Sequence, residues 1–194
     1  HNCLVGSEMC IRDSLYAQPT IYSQQPTYIT IFLGSIFSVT LFTLALLDFK
    51  YFWLPQPLTL GGLILGITAS LLIDLSNDFY QFSYSIYALI ASFLGFIFFN
   101  LLSHFGRKIF NKPVLGGGDA KLAAMMGSWL GINGLFISIW LTFASAGIFV
   151  ILGFVLKKIK RNQKIPLGVF LAFSGLLVWY FGNQVFLKII FFQI

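Results

Sequence analysis

Charged residues are scarce in this chain of 194 residues. They make up 9% of it, against 58% hydrophobic residues, and the mean hydropathy is +0.87. A water-soluble domain carries about 25% charged residues. The composition therefore excludes an ordinary soluble domain and predicts an integral membrane protein.

Cysteine is nearly absent, because the chain has only Cys3 and Cys10. Two cysteines at this spacing are a weak zinc signal, so we predict no metal site. The segment 4–14 reads like the translation of a sequencing adapter. We therefore interpret 1–14 as non-native, 15–27 as a polar lead-in and 28–194 as a membrane-embedded domain, and we expect the native protein to have a further N-terminal part that is missing here.

Long apolar runs divide the chain into about six predicted transmembrane helices, because a helix needs about 20 apolar residues to cross the hydrocarbon layer. The stretch from Lys121 to Lys158 is too long for one crossing, and its best internal turn runs from Gly131 to Gly134. The fold class is thus an all-α, polytopic bundle. The predicted spans are Tyr28 to Leu47, Thr59 to Leu75, Tyr84 to Ser103, a short one from Asp119 to Gly131, Gly134 to Leu156, and Pro166 to Phe181.

Positive charge falls on one side of this topology, and short cytoplasmic loops are the ones that collect lysine and arginine. The opposite loops carry Asp74 and Asp78, which we interpret as solvated loop charges. The pattern predicts a multi-pass protein of the cytoplasmic (inner) membrane, and it explains the net charge of +6 without a nucleic-acid partner. The bases on the cytoplasmic side are Lys50, Arg107, Lys108, Lys112, Lys121, Lys157, Lys158, Lys160, Arg161 and Lys164.

Only six acidic residues occur, and two of them stand at the ends of predicted spans on the basic side. Asp48 ends the first span, and Asp119 begins the fourth. An ionisable residue at membrane depth is costly and is by default a functional hypothesis. Paired carboxyl groups that share a proton activate water, because one accepts a proton from it while the other donates one to a substrate carbonyl. We therefore predict aspartyl protease chemistry with Asp48 and Asp119 catalytic.

Three glycines precede the second acid, and residues without a Cβ let a substrate strand approach closely. We assign Gly116, Gly117 and Gly118, together with Lys121 and Pro55, to substrate binding or positioning. The helix dipole favours an anion at a helix start and disfavours it at a helix end. This predicts Asp119 as the ionised base and Asp48 as the protonated acid.

Simpler interpretations remain open. Asp119 is also an ordinary candidate for a helix N-cap, and Asp48 for an interfacial ion pair with Lys50 or Lys121. A proton-coupled transporter is a further alternative, since two membrane acids can form a relay. It would place its acids nearer the membrane centre and leave its substrate uncleaved.

Three sequence elements follow one another: Asp48 with Leu-Pro-x-x-Leu-Thr after it, Gly-Gly-Gly-Asp-Ala-Lys-Leu from Gly116 to Leu122, and Ile-Pro-Leu-Gly-Val-Phe-Leu from Ile165 to Leu171. In this order they resemble the bacterial type IV prepilin peptidases. The resemblance implies a membrane endopeptidase that removes the leader of type IV prepilins or pseudopilins at the cytoplasmic face, with Asp48 and Asp119 catalytic.

Many members of that family also methylate the new N-terminus with S-adenosylmethionine, and many carry an insert with Cys-x-x-Cys motifs that this chain does not contain. We expect no cofactor for proteolysis, and S-adenosylmethionine only if methylation is retained. Archaeal preflagellin peptidases share the two-Asp pattern without the insert. Intramembrane proteases of the presenilin type share Gly-x-Gly-Asp, but this chain has no Pro-Ala-Leu element. A homo-oligomer also remains open.

Overall fold

The structure is a computed structural model that describes residues 27–51, 53–76, 83–110, 116–156, 166–182 and 186. The elements assigned within these residues are all α-helices, which confirms the predicted fold class. The interpretations of 1–14 and, apart from Thr27, of 15–27 lie outside the described residues. The helices are α1 (Thr27–Tyr51), α2 (Gln56–Ser76), α3 (Ser83–Phe110), α4 (Gly117–Val155) and α5 (Leu167–Phe181).

Four of the helices, α1 to α4, are long and apolar enough to cross a membrane, and α5 is shorter with 15 residues. Their outward faces carry large apolar side chains. A soluble protein rarely exposes so much contiguous apolar surface, whereas lipid is its natural surrounding. The chain is therefore a multi-pass membrane protein. Examples of these exposed side chains are Ile31, Phe42, Ile64, Leu72, Phe93 and Ile151.

Helix α4 reverses direction at Gly131, within the predicted turn. Gly131 has φ 70° and ψ −174°, a left-handed φ that favours glycine. A Cβ placed on Gly95 of α3 would lie 2.8 Å from the Ala123 carbonyl oxygen and 3.1 Å from Leu135 Cδ2. Ala123 and Leu135 would be about 18 Å apart along a straight helix. The arms 117–130 and 132–155 therefore fold back on each other, as the fourth and fifth predicted spans require.

The helix ends that carry the two acids meet at one end of the bundle. Helix α5 runs antiparallel to α1, because Gly34 packs on Trp179 and Asp48 packs on Gly168. Helix α2 runs parallel to the first arm of α4, since Gly62 of α2 lies against Met125 and Gly66 lies against Trp129. The end of α1 and the starts of α2, α4 and α5 thus form one layer. We call it the two-Asp end.

The bases in the described residues gather at the same layer. Helix α3 runs antiparallel to the first arm of α4, because Gly127 contacts the Ala91 backbone while Gly95 contacts Ala123. Its last turn, with Arg107 and Lys108, therefore points to the two-Asp end. Cations are favoured at a helix C-terminus. The predicted gathering of positive charge on one side thus holds for these residues.

Asp74 lies near the opposite end, and its interpretation as a solvated loop charge is wrong. Its side chain is 3% exposed, and it accepts hydrogen bonds from the Tyr84 backbone N–H (3.2 Å), the Ser85 backbone N–H (2.8 Å) and the Ser85 hydroxyl. The first N–H groups of a helix have no intrahelical acceptor. Asp74 of α2 therefore caps α3 across the connection. Asp78 lies outside the described residues.

Removing this cap is expected to lower stability without disturbing the two-Asp end. We expect Asp74→Ala to cost about 1 kcal/mol, as loss of a helix cap does. Asp74→Asn is expected to cost less, because its amide oxygen still accepts a hydrogen bond. The unfolding midpoint of the protein in detergent, followed by circular dichroism, measures both. Equal midpoints for the alanine variant and the parent would show that the cap contributes nothing.

Candidate active site

Asp48 continues the buried face of α1. Phe37, Leu41 and Leu44 are fully buried on this face, and their spacing brings Asp48 onto it in the last turn. The Asp48 side chain is only 5% exposed, although α1 ends at Tyr51. The apolar pattern of α1 therefore turns this carboxyl group inward, toward α5.

Asp119 occupies the first turn of α4. Gly116 is the N-cap residue, with extended backbone and no side-chain cap, and the Asp119 N–H donates to the Gly116 carbonyl oxygen at 3.2 Å. The Asp119 carboxyl group in turn interacts with the Gly116 backbone N–H. Asp119 is thus not the N-cap itself but the acid three residues later, which reaches back to it as in a capping box. It is 7% exposed.

Stacking deeper in the bundle brings the two acids to the same level. The Phe37 and Trp129 rings stack with centroids 5.0 Å apart, and Trp129 Nε1 donates to the Gly62 carbonyl oxygen at 2.8 Å. Asp48 is 48 − 37 = 11 residues from Phe37, and Asp119 is 129 − 119 = 10 residues from Trp129. At 1.5 Å per residue these distances along the helices are nearly equal. The two carboxyl groups interact electrostatically as a result.

The Leu-Pro element between α1 and α2 contacts the glycine element before α4. A Cβ on Gly118 would lie 3.0 Å from Leu54 Cδ1 and 3.1 Å from Leu54 Cβ. The Pro55 carbonyl oxygen accepts the Thr59 N–H at 3.3 Å and so begins α2. Gly118 therefore allows close approach of the loop between α1 and α2, and the role of Pro55 in positioning stays a prediction.

Among the other predicted site residues, Gly116 lies beside Asp119, since its N–H interacts with that carboxyl group. Gly116 and Gly117 are exposed, and no described atom lies within 4 Å of a Cβ built on Gly117. Lys121 is half-buried on α4, and its part in the site stays a prediction. Lys50 is exposed with its Nζ 5.2 Å from the Tyr51 ring centroid, which does not support an ion pair with Asp48.

Gly168 belongs to the site, and sequence reasoning did not place it there. A Cβ on Gly168 would lie 2.7 Å from Asp48 Oδ2. The backbone N–H groups of Gly168 and Val169 also interact with the Asp48 carboxyl group. The Ile-Pro-Leu-Gly element was visible in the sequence, but nothing local links it to an acid 168 − 48 = 120 residues earlier.

The contact between Asp48 and the first turn of α5 removes the reason for predicting Asp119 as the ionised base and Asp48 as the protonated acid. The prediction considered only the end of α1, where the dipole disfavours an anion. Asp48 also faces the first turn of α5, so both carboxyl groups lie at helix N-termini. The dipoles therefore do not decide which acid holds the proton.

Two buried carboxyl groups that interact electrostatically, as Asp48 and Asp119 do, can share a proton and activate water for attack on a carbonyl carbon. Asp48 comes from α1 and Asp119 from α4, and α5 closes the site on the side of Asp48. Within the described ranges, no three side chains of His, Cys, Asp or Glu are grouped so that they could hold a metal ion.

Comparison with known proteins identifies the family to which the chain belongs. The type IV leader peptidase family matches residues 35–154. A prepilin leader peptidase/N-methyltransferase of Legionella pneumophila is 29% identical over 146 residues, 75% of this chain and 48% of the relative. Proteins of the same name from Dichelobacter nodosus and Xanthomonas campestris are 32% and 26% identical over 150 and 149 residues, each 77% of this chain and 49% and 50% of the relative.

The chain spans about half the length of the curated relatives it matches. No solved structure matches it significantly. The region matched by the family covers more than half of the chain and includes both Asp48 and Asp119, and this protein therefore belongs to the type IV leader peptidase family.

Proposed function

We propose that this protein is a membrane aspartyl endopeptidase that removes the leader peptide of type IV prepilins or pseudopilins. One observation carries the proposal: two buried carboxyl groups, Asp48 and Asp119, lie at the same end of an apolar helical bundle and interact electrostatically. Ionisable groups are costly to bury in a membrane protein, so their presence there is by default a sign of function. Family membership supplies the class of substrate, because the relatives are named prepilin leader peptidases.

The reaction uses the pair as general base and general acid. One carboxylate takes a proton from a water molecule while the water oxygen bonds to the scissile carbonyl carbon. The protonated partner donates to the carbonyl oxygen, which stabilises the tetrahedral intermediate. Transfer of a proton to the amide nitrogen then breaks the C–N bond, leaving a new carboxyl group and a new amine. Asp48 and Asp119 exchange roles through a shared proton.

We place this reaction at the cytoplasmic face of the inner membrane. The two-Asp end carries Lys50, Arg107, Lys108 and Lys121, and cytoplasmic ends of membrane helices collect such residues. Both acids lie in the last or first turn of a helix rather than at mid-helix. This position supports cleavage beside the bilayer and argues against both an intramembrane protease and a proton relay at the membrane centre.

The proposal is limited to peptide hydrolysis. The printed names of the relatives also include N-methyltransferase activity. We assign none of the described residues to binding S-adenosylmethionine. The lipid bilayer and the prepilin are the partners we propose, and we propose no nucleic acid.

The test is incubation of the purified chain in lipid vesicles with a synthetic prepilin peptide, followed by mass spectrometry. We expect one cut, at the leader junction. A preflagellin peptide run in parallel tests the closest alternative substrate. Cuts within the apolar segment of the peptide would indicate an intramembrane protease. An intact peptide in the presence of well-folded protein would refute the proposal, and its uptake into the vesicles would favour a transporter.

A further inference from the structure

We infer that the first turn of α5 is a third part of this active site and that Gly168 is a positioning residue for the Asp48 carboxyl group. The inference rests on the proposed function for its catalytic meaning. Its structural content rests on contacts between α1 and α5 that are independent of any substrate.

Because glycine has no side chain, position 168 leaves room for the Asp48 carboxyl group. A Cβ built on Gly168 would lie 2.7 Å from Asp48 Oδ2, 3.0 Å from Asp48 Cγ and 3.4 Å from Asp48 Cβ. The first of these distances is shorter than real contacts of a Cβ. Any residue other than glycine would therefore displace either the Asp48 side chain or helix α5.

Helix α5 is held too firmly to move away. At its middle, Ser174 and Thr142 hydroxyls are hydrogen-bonded at 2.7 Å, and both side chains are buried. Nearer its end, Trp179 fills the space beside Gly34 of α1, where a Cβ would lie 2.6 Å from the indole Nε1. A methyl group at position 168 is therefore expected to move the carboxyl group of Asp48 rather than the helix.

The same turn directs the carboxyl group electrostatically. The N–H groups of Gly168 and Val169 interact with it, and N–H groups in the first turn of a helix are free to bind an anion. Oδ2 of Asp48 is buried and has no hydrogen-bond partner among the residues that the structure describes. A buried acceptor without a partner is costly and calls for a function. We assign Oδ2 to the water or the substrate carbonyl.

The first test compares Gly168→Ala with Gly175→Ala on the same helix. Both glycines are buried, but a Cβ on Gly175 would meet the flexible end of Met126, 2.6 Å from its Cε, away from the acids. A misplacement of about 1 Å at a reacting group can cost about 100-fold in rate. We expect Gly168→Ala to lower kcat for the prepilin peptide about 100-fold with KM nearly unchanged, and Gly175→Ala to keep kcat. Equal kcat values for the two variants would overturn the inference.

A second test does not depend on activity. Unfolding midpoints are measured for Gly168→Ala, Asp48→Ala and the double variant in detergent. If the added methyl group meets the carboxyl group, its effect on the midpoint disappears once Asp48 is alanine. Equal effects of Gly168→Ala in both backgrounds would overturn the contact. A well-folded parent that cleaves nothing would instead refute the proposed function, and with it the catalytic role of Gly168, while the midpoints still report on the contact.

Discussion

Replacing either Asp48 or Asp119 by asparagine is expected to slow cleavage of a prepilin peptide at least about 1,000-fold. General acid and base groups contribute about 100-fold to 10,000-fold each, and asparagine can neither accept nor donate the proton. Asparagine has nearly the same size, and at position 119 its amide oxygen can still accept the Gly116 N–H. We therefore expect unfolding midpoints close to that of the parent.

The double variant is expected to be no slower than either single variant, because the two groups act as one unit. Asp74→Asn is the matched control, since it makes the same change at a buried acid near the opposite end of the bundle. It should cleave at the parent rate. If Asp48→Asn or Asp119→Asn kept more than about a tenth of the parent rate, the catalytic pair would be wrong.

Among the substitutions of glycine by alanine, Gly127→Ala is expected to lower the free energy of unfolding the most. A Cβ on Gly127 would lie 2.6 Å from the Ala91 carbonyl carbon and oxygen and 2.7 Å from the Ser92 nitrogen. These are backbone atoms of α3, so no rotamer change can relieve the clash. Small residues allow such close approach of membrane helices. Overpacking costs about 1–3 kcal/mol, and we expect the upper part of that range.

Gly147→Ala is the control on the same helix. No described atom lies within 4 Å of a Cβ built there, so the change should be neutral or stabilising, as alanine favours helix more than glycine does. Unfolding midpoints in detergent distinguish the two. Gly127→Ala should also slow cleavage, because the arm it displaces carries Asp119. A midpoint for Gly127→Ala equal to that of Gly147→Ala would show that the two helices have room to separate.

The helices could be predicted, and the two candidate acids could be singled out, because their signals are local. Apolar runs of sufficient length determine membrane helices, and the glycines around Gly131 mark the turn within α4. Asp48 and Asp119 stood out because acids are few, and because Asp48 ends one predicted span and Asp119 begins another. The structure describes nothing that tests the domain boundaries near the N-terminus, and the roles of Lys121 and Pro55 stay predictions.

One prediction was wrong, and another lost its basis without being tested, because a neighbouring helix acts on the residue. Asp74 was taken for a solvated charge because the polar stretch from Ser76 to Asp78 follows it, yet it caps α3. The protonation states of Asp48 and Asp119 were predicted from the dipole of each residue's own helix. The start of α5 beside Asp48 changes that comparison.

By itself, the sequence determined the membrane class, the helical segments, the side that bears positive charge and the pair of candidate acids. These follow from composition and spacing along one chain. Only the tertiary structure decided that Gly168 lies against Asp48, that Leu54 lies against Gly118 and that Asp74 is buried. Each of these depends on how helices distant in sequence pack together, and side-chain contacts of a few ångströms leave no periodic signal in the residues that make them.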